Sequence, residues 1–143
     1  MTDVLLAELS RALDANSLRL REALRREMDR LGVLEPDQRV QLEIDPNFYR
    51  VSFVATEEDI LPDDWLAEAL AEDWFERAGE AFGSWDSVVE EPLAAWIADC
   101  WRDLDGKARF SPAFVFFHGY HHRQYDLERR EWLTGEAFEA RWG

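Results

Sequence analysis

Residues 39–55, RVQLEIDPNFYRVSFVA, decide how the fold is organised, because their apolar residues recur at every second position. These alternating apolar residues flank an Asp-Pro-Asn sequence and are Val40, Leu42, Ile44, Tyr49, Val51 and Phe53. Such alternation places apolar side chains on one face of a strand, and Asp, Pro and Asn favour turns. The stretch therefore predicts a β-hairpin with its turn at residues 45–47.

The chain before this hairpin predicts one long amphipathic helix from Thr2 to Leu31. Its apolar residues follow steps of three and four positions: Leu5, Leu9, Leu13, Leu20, Leu24, Met28 and Leu31. Thr2 is suited to cap the helix and Gly32 to end it, and a break near Asn16 and Ser17 is the alternative. The outer face carries Arg19, Arg21, Arg25, Arg26 and Arg30, interleaved with Glu22, Glu27 and Asp29 as surface pairs.

Two further helices are predicted after the hairpin. Residues 63–82 follow the helix-breaking Pro62, and Asp63 and Asp64 stand where a helix N-terminus favours negative charge. The buried stripe of this helix would be Leu66, Leu70, Trp74, Ala78 and Phe82. The next helix, with Pro92 tolerable only near its first turn and Gly106 at its end, has the stripe Val89, Leu93, Trp96, Ile97, Cys100, Trp101 and Leu104.

The last part of the chain predicts two strands and a short helix. Residues 113–117, AFVFF, are too few for a helix and rich in strand formers, which indicates a central strand. Tyr125 and Leu127 indicate another strand after a turn at residues 121–124, and Thr134 is placed to cap a final helix through Phe138. The predicted fold is α+β, an antiparallel sheet of about four strands covered by helices, in the order α-β-β-α-α-β-β-α.

Length and composition predict one folded domain over residues 1–143. The chain is 47% hydrophobic and contains seven Trp, so it is no disordered acidic tail, and Trp96 and Trp101 are expected in a Trp-rich core. The sequence has a single cysteine, no secretory signal pattern and no long apolar run, so we expect a cytoplasmic protein. Cys100 falls in a helical apolar stripe and is expected to be an inert, buried thiol.

The net charge of −15 is concentrated in one segment of the chain. Residues 43–105 contain 18 Asp and Glu against three Arg, and five of the acids recur every four residues: Asp64, Glu68, Glu72, Glu76 and Glu80. If residues 63–82 are helical, these five stack on one face, where each neighbouring pair costs about 0.2–0.5 kcal/mol. A general adaptation to high salt is disfavoured because the excess is confined to this segment. A solvated face or a docking surface remains.

The first hypothesis for function is a non-enzymatic protein that binds a basic protein partner. The five acids would form the docking face, aided by Glu57, Glu58 and Asp59 and by Trp65 as an exposed aromatic anchor. Small acidic inhibitors, immunity proteins and mimics of nucleic acid share this charge character. The same charge disfavours binding to nucleic acid or to anionic membranes, because both require Lys and Arg.

The second hypothesis is a small metal-dependent or acid–base enzyme. All three histidines, His118, His121 and His122, lie near Asp126 and Glu128, which could together hold a divalent metal at a strand end. The spacing matches no metal signature, and a hydrogen-bonded strand end is the alternative explanation of the cluster. The sequence contains no nucleophile elbow and no glycine-rich phosphate loop, so an enzyme is the less favoured interpretation, with no cofactor expected.

The third hypothesis is a structural subunit of a homo-oligomer. The Arg-rich face of residues 19–30 could pair with the acidic helix of a second copy and form a homodimer. The same two faces could instead pair within one monomer.

Overall fold

The computed structural model describes residues 2–32, 40–45, 48–83, 86–104, 113–117 and 123–142. The strands in these ranges are β1 (Val40–Ile44), β2 (Val51–Phe53), β3 (Glu58–Leu61), β4 (Ala113–Phe117), β5 (Arg123–Asp126) and β6 (Glu131–Thr134). They form one mixed sheet in the order β3-β2-β1-β4-β5-β6.

The described residues also form six helices. These are α1 (Thr2–Ala15), α2 (Ser17–Leu31), α3 (Trp65–Ala69), α4 (Trp74–Phe82), α5 (Asp86–Asp103) and α6 (Gly135–Trp142). The α+β class predicted from the sequence is therefore confirmed. The predicted four antiparallel strands and the predicted order of elements are wrong in detail.

The strand pairing predicted within residues 39–55 is present, whereas residues 46–47 of the predicted turn lie outside the described residues. β1 and β2 pair antiparallel, with Leu42 opposite Phe53 and Ile44 opposite Val51. The apolar residues of both strands are buried, whereas the residues between them are half-buried. The alternation of apolar and polar residues therefore correctly predicted which side chains of β1 and β2 are buried.

The centre of the sheet is parallel, which the sequence did not predict. β4 lies beside β1 in the same direction, with Val40 opposite Ala113 and Ile44 opposite Phe117. Two strands and three helices separate β1 from β4, so the chain has the length that a parallel crossover needs. All five β4 residues are buried because the strand is covered on both faces, as is usual for parallel pairs.

The two edge strands β3 and β6 were missed by the sequence interpretation. Each has four residues with exposed acidic positions at its start, which gives no alternating apolar pattern. Both follow tight turns, and a residue with positive φ precedes each strand, Glu57 at 59° and Arg130 at 59°. Their positions depend on these turns rather than on a hydrophobic period.

The predicted helix of residues 2–31 is divided into α1 and α2 at Asn16, which confirms the alternative of a break. The Asn16 side chain donates to the carbonyl of Ala12 at 2.9 Å, and the Ser17 hydroxyl donates to the carbonyl of Leu13 at 3.3 Å. Short polar side chains compete in this way with the helical backbone bonds. The indole of Trp96 donates to the Ser17 hydroxyl at 2.8 Å and so fixes the break against α5.

The third predicted helix corresponds to α5, and most of its apolar stripe is buried, including Trp96, Ile97 and Trp101. Pro92 lies inside this helix, beyond the first turn in which the sequence interpretation had placed it. The cap predicted for the last helix is confirmed, because the Thr134 hydroxyl accepts a bond of 3.1 Å from the Ala137 amide. That helix, α6, continues past the predicted end at Phe138 to Trp142.

The main core is an apolar cluster in which Trp65, Trp74 and Trp101 are fully buried, and Phe114 and Leu133 form a second, smaller cluster. The indole of Trp65 donates to the carbonyl of Tyr49 at 2.7 Å, and the indole of Trp74 donates to the carbonyl of Leu5 at 3.1 Å. These bonds tie α3 to the first hairpin and α4 to α1. The Trp101 indole N–H is also buried, but it has no hydrogen-bond partner among the described residues.

We predict that Trp65→Phe destabilises the protein more than Trp101→Phe. The first change leaves the buried Tyr49 carbonyl without its donor, which costs about 1–3 kcal/mol. The second change removes a donor that has no acceptor, and therefore serves as the matched control for lost volume. Urea unfolding of both variants measures the difference. Equal losses of unfolding free energy in the two variants would contradict the importance of the bond to Tyr49.

Candidate functional site

The predicted helix of residues 63–82 is two helices, so the prediction of five acids on one continuous face is wrong. α3 ends at Ala69, Leu70 is extended with φ −108° and ψ 159°, and α4 begins at Trp74. Trp65 and Trp74 are nine residues apart, and at 3.6 residues per turn they would point about 180° apart on one straight helix. Both are fully buried, and the break is what allows each to face the core.

All five acids of this segment are nevertheless exposed, and we call them the acidic surface: Asp64, Glu68, Glu72, Glu76 and Glu80. Asp64 directly precedes α3, Glu68 lies within it, and Glu72 lies in the turn before α4. Glu76 and Glu80 are about one turn apart on α4. Glu76 is two residues after the buried Trp74, and Glu80 is two residues after the buried Ala78, which corresponds to a rotation of about 200° around the helix axis in each case. Their side chains therefore point away from the core.

None of the five carboxylates pairs with a cation within the described part of the chain. The sequence offers them little compensation, because Arg50 and Arg77 are the only Lys or Arg residues between residues 43 and 101. Arg77 lies on α4, but its guanidinium contacts Glu8 of α1 at 2.9 Å and Asp73 at 3.2 Å. The hydrogen bond to Glu8 raises the pKa of Arg77, and its charge serves to join α1 to α4.

Arg50 is occupied by a different set of acids. Its guanidinium lies 3.3 Å from Asp63, 3.7 Å from Asp59 and 3.9 Å from Asp45. Asp59 also accepts a bond of 3.0 Å from the Ser52 hydroxyl across the β2–β3 pair. Arg50 therefore neutralises carboxylates of the sheet and of the loop before α3.

Of the predicted auxiliary acids, Glu57 lies in the β2–β3 turn, and Glu58 and Asp59 are the first two residues of β3. Residues 60–63 separate them in the chain from Asp64, the first residue of the acidic surface. All three are exposed, but Glu58 lies 3.5 Å from Arg30 and Asp59 is paired with Arg50. Their internal pairs hold β3 to α2 and β2. A role for these three residues in partner binding stays a prediction.

The prediction that Trp65 is an exposed anchor is wrong. Trp65 is 1% exposed, it donates to Tyr49, and its ring stacks on that of Trp96 with centroids 5.4 Å apart. It is the first residue of α3 and begins the buried face of that helix. The sequence could not reveal this, because a helix start carries no full turn of apolar spacing to show which face is buried.

A shallow groove of about 310 Å³ lies between α1 and the turn that joins α3 to α4. Its apolar lining is made of Ala12, Ala15, Ala69, Leu70 and Ala71, and Glu8 and Arg11 are at its rim. Glu68 and Glu72 flank the lining residues of the α3–α4 turn in the chain. The acidic surface thus borders a concave apolar strip where the helix is broken.

The sequence analysis placed Glu27 on the outer face of the predicted helix of residues 2–31, in a surface ion pair. That placement is wrong. The Glu27 side chain is fully buried, with the guanidinium groups of Arg26 and Arg30 each at 3.1 Å from its carboxylate. Burial raises the pKa of Glu27, but hydrogen bonding and the charges of Arg26 and Arg30 outweigh it, so the net pKa is lowered. Arg30 also reaches Glu58, so this group holds α2 against β3.

The Arg-rich face of α2 does not pair with the acidic surface in the described monomer. Arg26 and Arg30 contact Glu27, and Arg21 lies 3.7 Å from Asp103 of α5. The alternative of pairing between these two faces inside one monomer is therefore wrong for the described residues. The homodimer stays a prediction.

His118, His121 and His122 lie outside the described residues, so their convergence on a metal stays a prediction. Asp126 is buried, and one carboxylate oxygen accepts from the backbone amides of Glu128 at 2.9 Å and Arg129 at 3.0 Å. That oxygen closes the β5–β6 turn. Within the ranges that the structure describes, no group of three His, Cys, Asp or Glu residues is placed to hold a metal ion.

Cys100 is buried, as the sequence predicted. Burial raises the pKa of its thiol to about 11, which leaves little thiolate at neutral pH. Among the described residues, no helix combines the length and apolar character needed to cross a membrane.

Comparisons with known proteins found no matching protein family, no similar curated protein and no similar solved structure.

We predict that Glu27→Gln lowers the free energy of unfolding by about 1–3 kcal/mol at neutral pH, because two charge-assisted bonds are lost. The folded pKa of Glu27 is below the unfolded value, so its contribution is complete above the unfolded pKa and is lost as pH falls through the folded pKa. The gap between wild type and variant should therefore close in acid. Urea unfolding between neutral and acidic pH measures it, with the exposed Glu22→Gln as control, and a gap independent of pH would contradict the assignment.

Proposed function

We propose that this chain is a non-enzymatic binding protein that docks a basic protein partner through the acidic surface. The observation that carries the proposal is that five exposed carboxylates on one short segment lack cationic partners within the described chain, whereas Arg50 and Arg77 are held by other acids. Such an arrangement leaves a negative field that a cationic surface can complement.

Folding gives no evident reason for this arrangement. Several carboxylates that stabilise this fold are paired with Arg, as in Glu27 with Arg26 and Arg30 or Asp99 with Arg130 at 2.7 Å. Glu76 and Glu80 instead repel each other at i,i+4 spacing, which costs about 0.2–0.5 kcal/mol. A protein tolerates such a cost readily when the charges attract a partner.

The chemistry of docking follows from this charge. Complementary potentials raise the association rate and reject partners of the wrong sign, and they do so less at high salt. A basic protein that uses its cationic face for its own ligand would be blocked by this surface, which is the mode of an inhibitor, an immunity protein or a mimic of nucleic acid. A cytoplasmic site of action belongs to the same proposal, and nucleic acid and anionic membranes are excluded as partners because like charges repel.

The test compares two variants with the same change in net charge. The surface variant carries Gln at residues 68, 72, 76 and 80. The control variant carries Asn at residues 3 and 14 and Gln at residues 22 and 91, which are also exposed acids without ion pairs in the described structure. We expect both to fold, and the surface variant to be as stable as wild type or slightly more so, because the Glu76–Glu80 repulsion is removed.

Each protein is used at low salt to capture partners from the native host lysate, and captured proteins are identified by mass spectrometry. We expect one basic protein to be retained by wild type and by the control variant and to be lost from the surface variant. If neither variant captured the basic protein, the net charge of the chain, and not the position of the acidic surface, would explain the binding, which would contradict the proposal. Equal retention by all three proteins would contradict the proposed docking surface.

A further inference from the structure

We propose that Phe48, at the tip of the β1–β2 hairpin, is the apolar anchor of the acidic surface, so that the partner is a basic protein with an apolar pocket bordered by Arg or Lys. This inference rests on the proposed function and adds the chemistry of the contact. Phe48 takes the role of aromatic anchor that the sequence analysis gave to Trp65, because Trp65 is buried and cannot contact a partner.

Phe48 is a large apolar side chain that is mostly exposed. It is 59% exposed, and it is the only aromatic residue among the large exposed apolar side chains of the described chain, which are Val4, Leu6, Leu18, Phe48 and Val54. Its ring contacts no other ring in the described ranges. Aromatic side chains, Phe among them, are enriched at protein interfaces, and they bury a large area at a small cost in side-chain entropy.

The backbone beside Phe48 is held firmly. Tyr49 is 1% exposed and has a φ of 61°, which a bulky residue adopts only when its surroundings enforce it. Its amide donates to the carbonyl of Asp45 at 2.6 Å, and its carbonyl accepts from the Trp65 indole at 2.7 Å. An anchor that adjoins such a fixed residue loses less conformational entropy when a partner binds than one without this support.

The same contacts place Tyr49, the residue after Phe48, against two residues that adjoin members of the acidic surface in the chain. Trp65, which bonds to Tyr49, directly follows Asp64. The Tyr49 ring stacks on Phe75 with centroids 6.4 Å apart, and Phe75 directly precedes Glu76. Tyr49 is therefore attached to the start of α3 and to the first turn of α4, and two of the five carboxylates, Asp64 and Glu76, belong to these parts of the chain.

This arrangement indicates the chemistry of the partner. An apolar contact at Phe48 would exclude water from the neighbouring charge pairs, which strengthens them by lowering the local dielectric constant. A partner with cations alone would satisfy the carboxylates and leave Phe48 exposed. A partner with an apolar pocket and flanking cations satisfies both.

The test uses two synthetic peptides and four proteins. One peptide has eight Arg residues spaced by Gly and Ser, and the other is identical except that one central Gly is replaced by Leu. The proteins are wild type, Phe48→Ala, Phe48→Leu and the control Leu18→Ala, which removes an equally exposed apolar side chain from α2. Calorimetry at low salt gives the affinity ratio of the two peptides for each protein, and thermal unfolding checks that each variant is folded.

We expect the Leu-containing peptide to bind wild type, Phe48→Leu and Leu18→Ala about tenfold more tightly than the plain peptide. The ratio should fall to about one for Phe48→Ala. A ratio of one for wild type, or an unchanged ratio for Phe48→Ala, would overturn the anchor. Failure of the proposed function looks different, because both peptides would then bind wild type no better than the variant with Gln at residues 68, 72, 76 and 80.

Discussion

Trp65 and Trp74 must both reach the core, and that requirement shapes the segment between the sheet and α5. The two indoles would lie about 180° apart on one straight helix, so the chain breaks at Leu70 and continues as α4. Each indole then donates to a backbone carbonyl, Trp65 to Tyr49 and Trp74 to Leu5. The hairpin, α1 and the two short helices are joined through these two bonds.

The charged residues divide into two groups with different consequences. Carboxylates that face another element are paired, as Glu27 is with Arg26 and Arg30, and Asp63 with Arg50. These pairs hold α2 to β3 and the hairpin to the loop before α3. Because Arg50 and Arg77 pair with other acids, the five outward carboxylates of the acidic surface have no cationic partner among the described residues. The internal pairing of the fold thus creates the negative surface.

The sequence predicted elements whose apolar period is long enough to be recognised. The hairpin of Leu42 and Phe53, the stripe of α5 and the Thr134 cap all follow from such local patterns. The parallel pairing of β1 with β4 depends on contacts far apart in the chain, and the edge strands are too short to show a period. The burial of Glu27 and Trp65 follows from how helices sit on the sheet, which spacing alone does not determine.

If the acidic surface attracts a basic partner, the rate of association with the captured partner should depend strongly on salt. Stopped-flow measurements over a range of salt concentrations give the slope of the rate against ionic strength for wild type and for the variant with Gln at residues 68, 72, 76 and 80. We expect the association rate to fall steeply with ionic strength for wild type and much less for the variant, with similar dissociation rates for both. Equal slopes for the two proteins would contradict the attraction of a basic partner by the acidic surface.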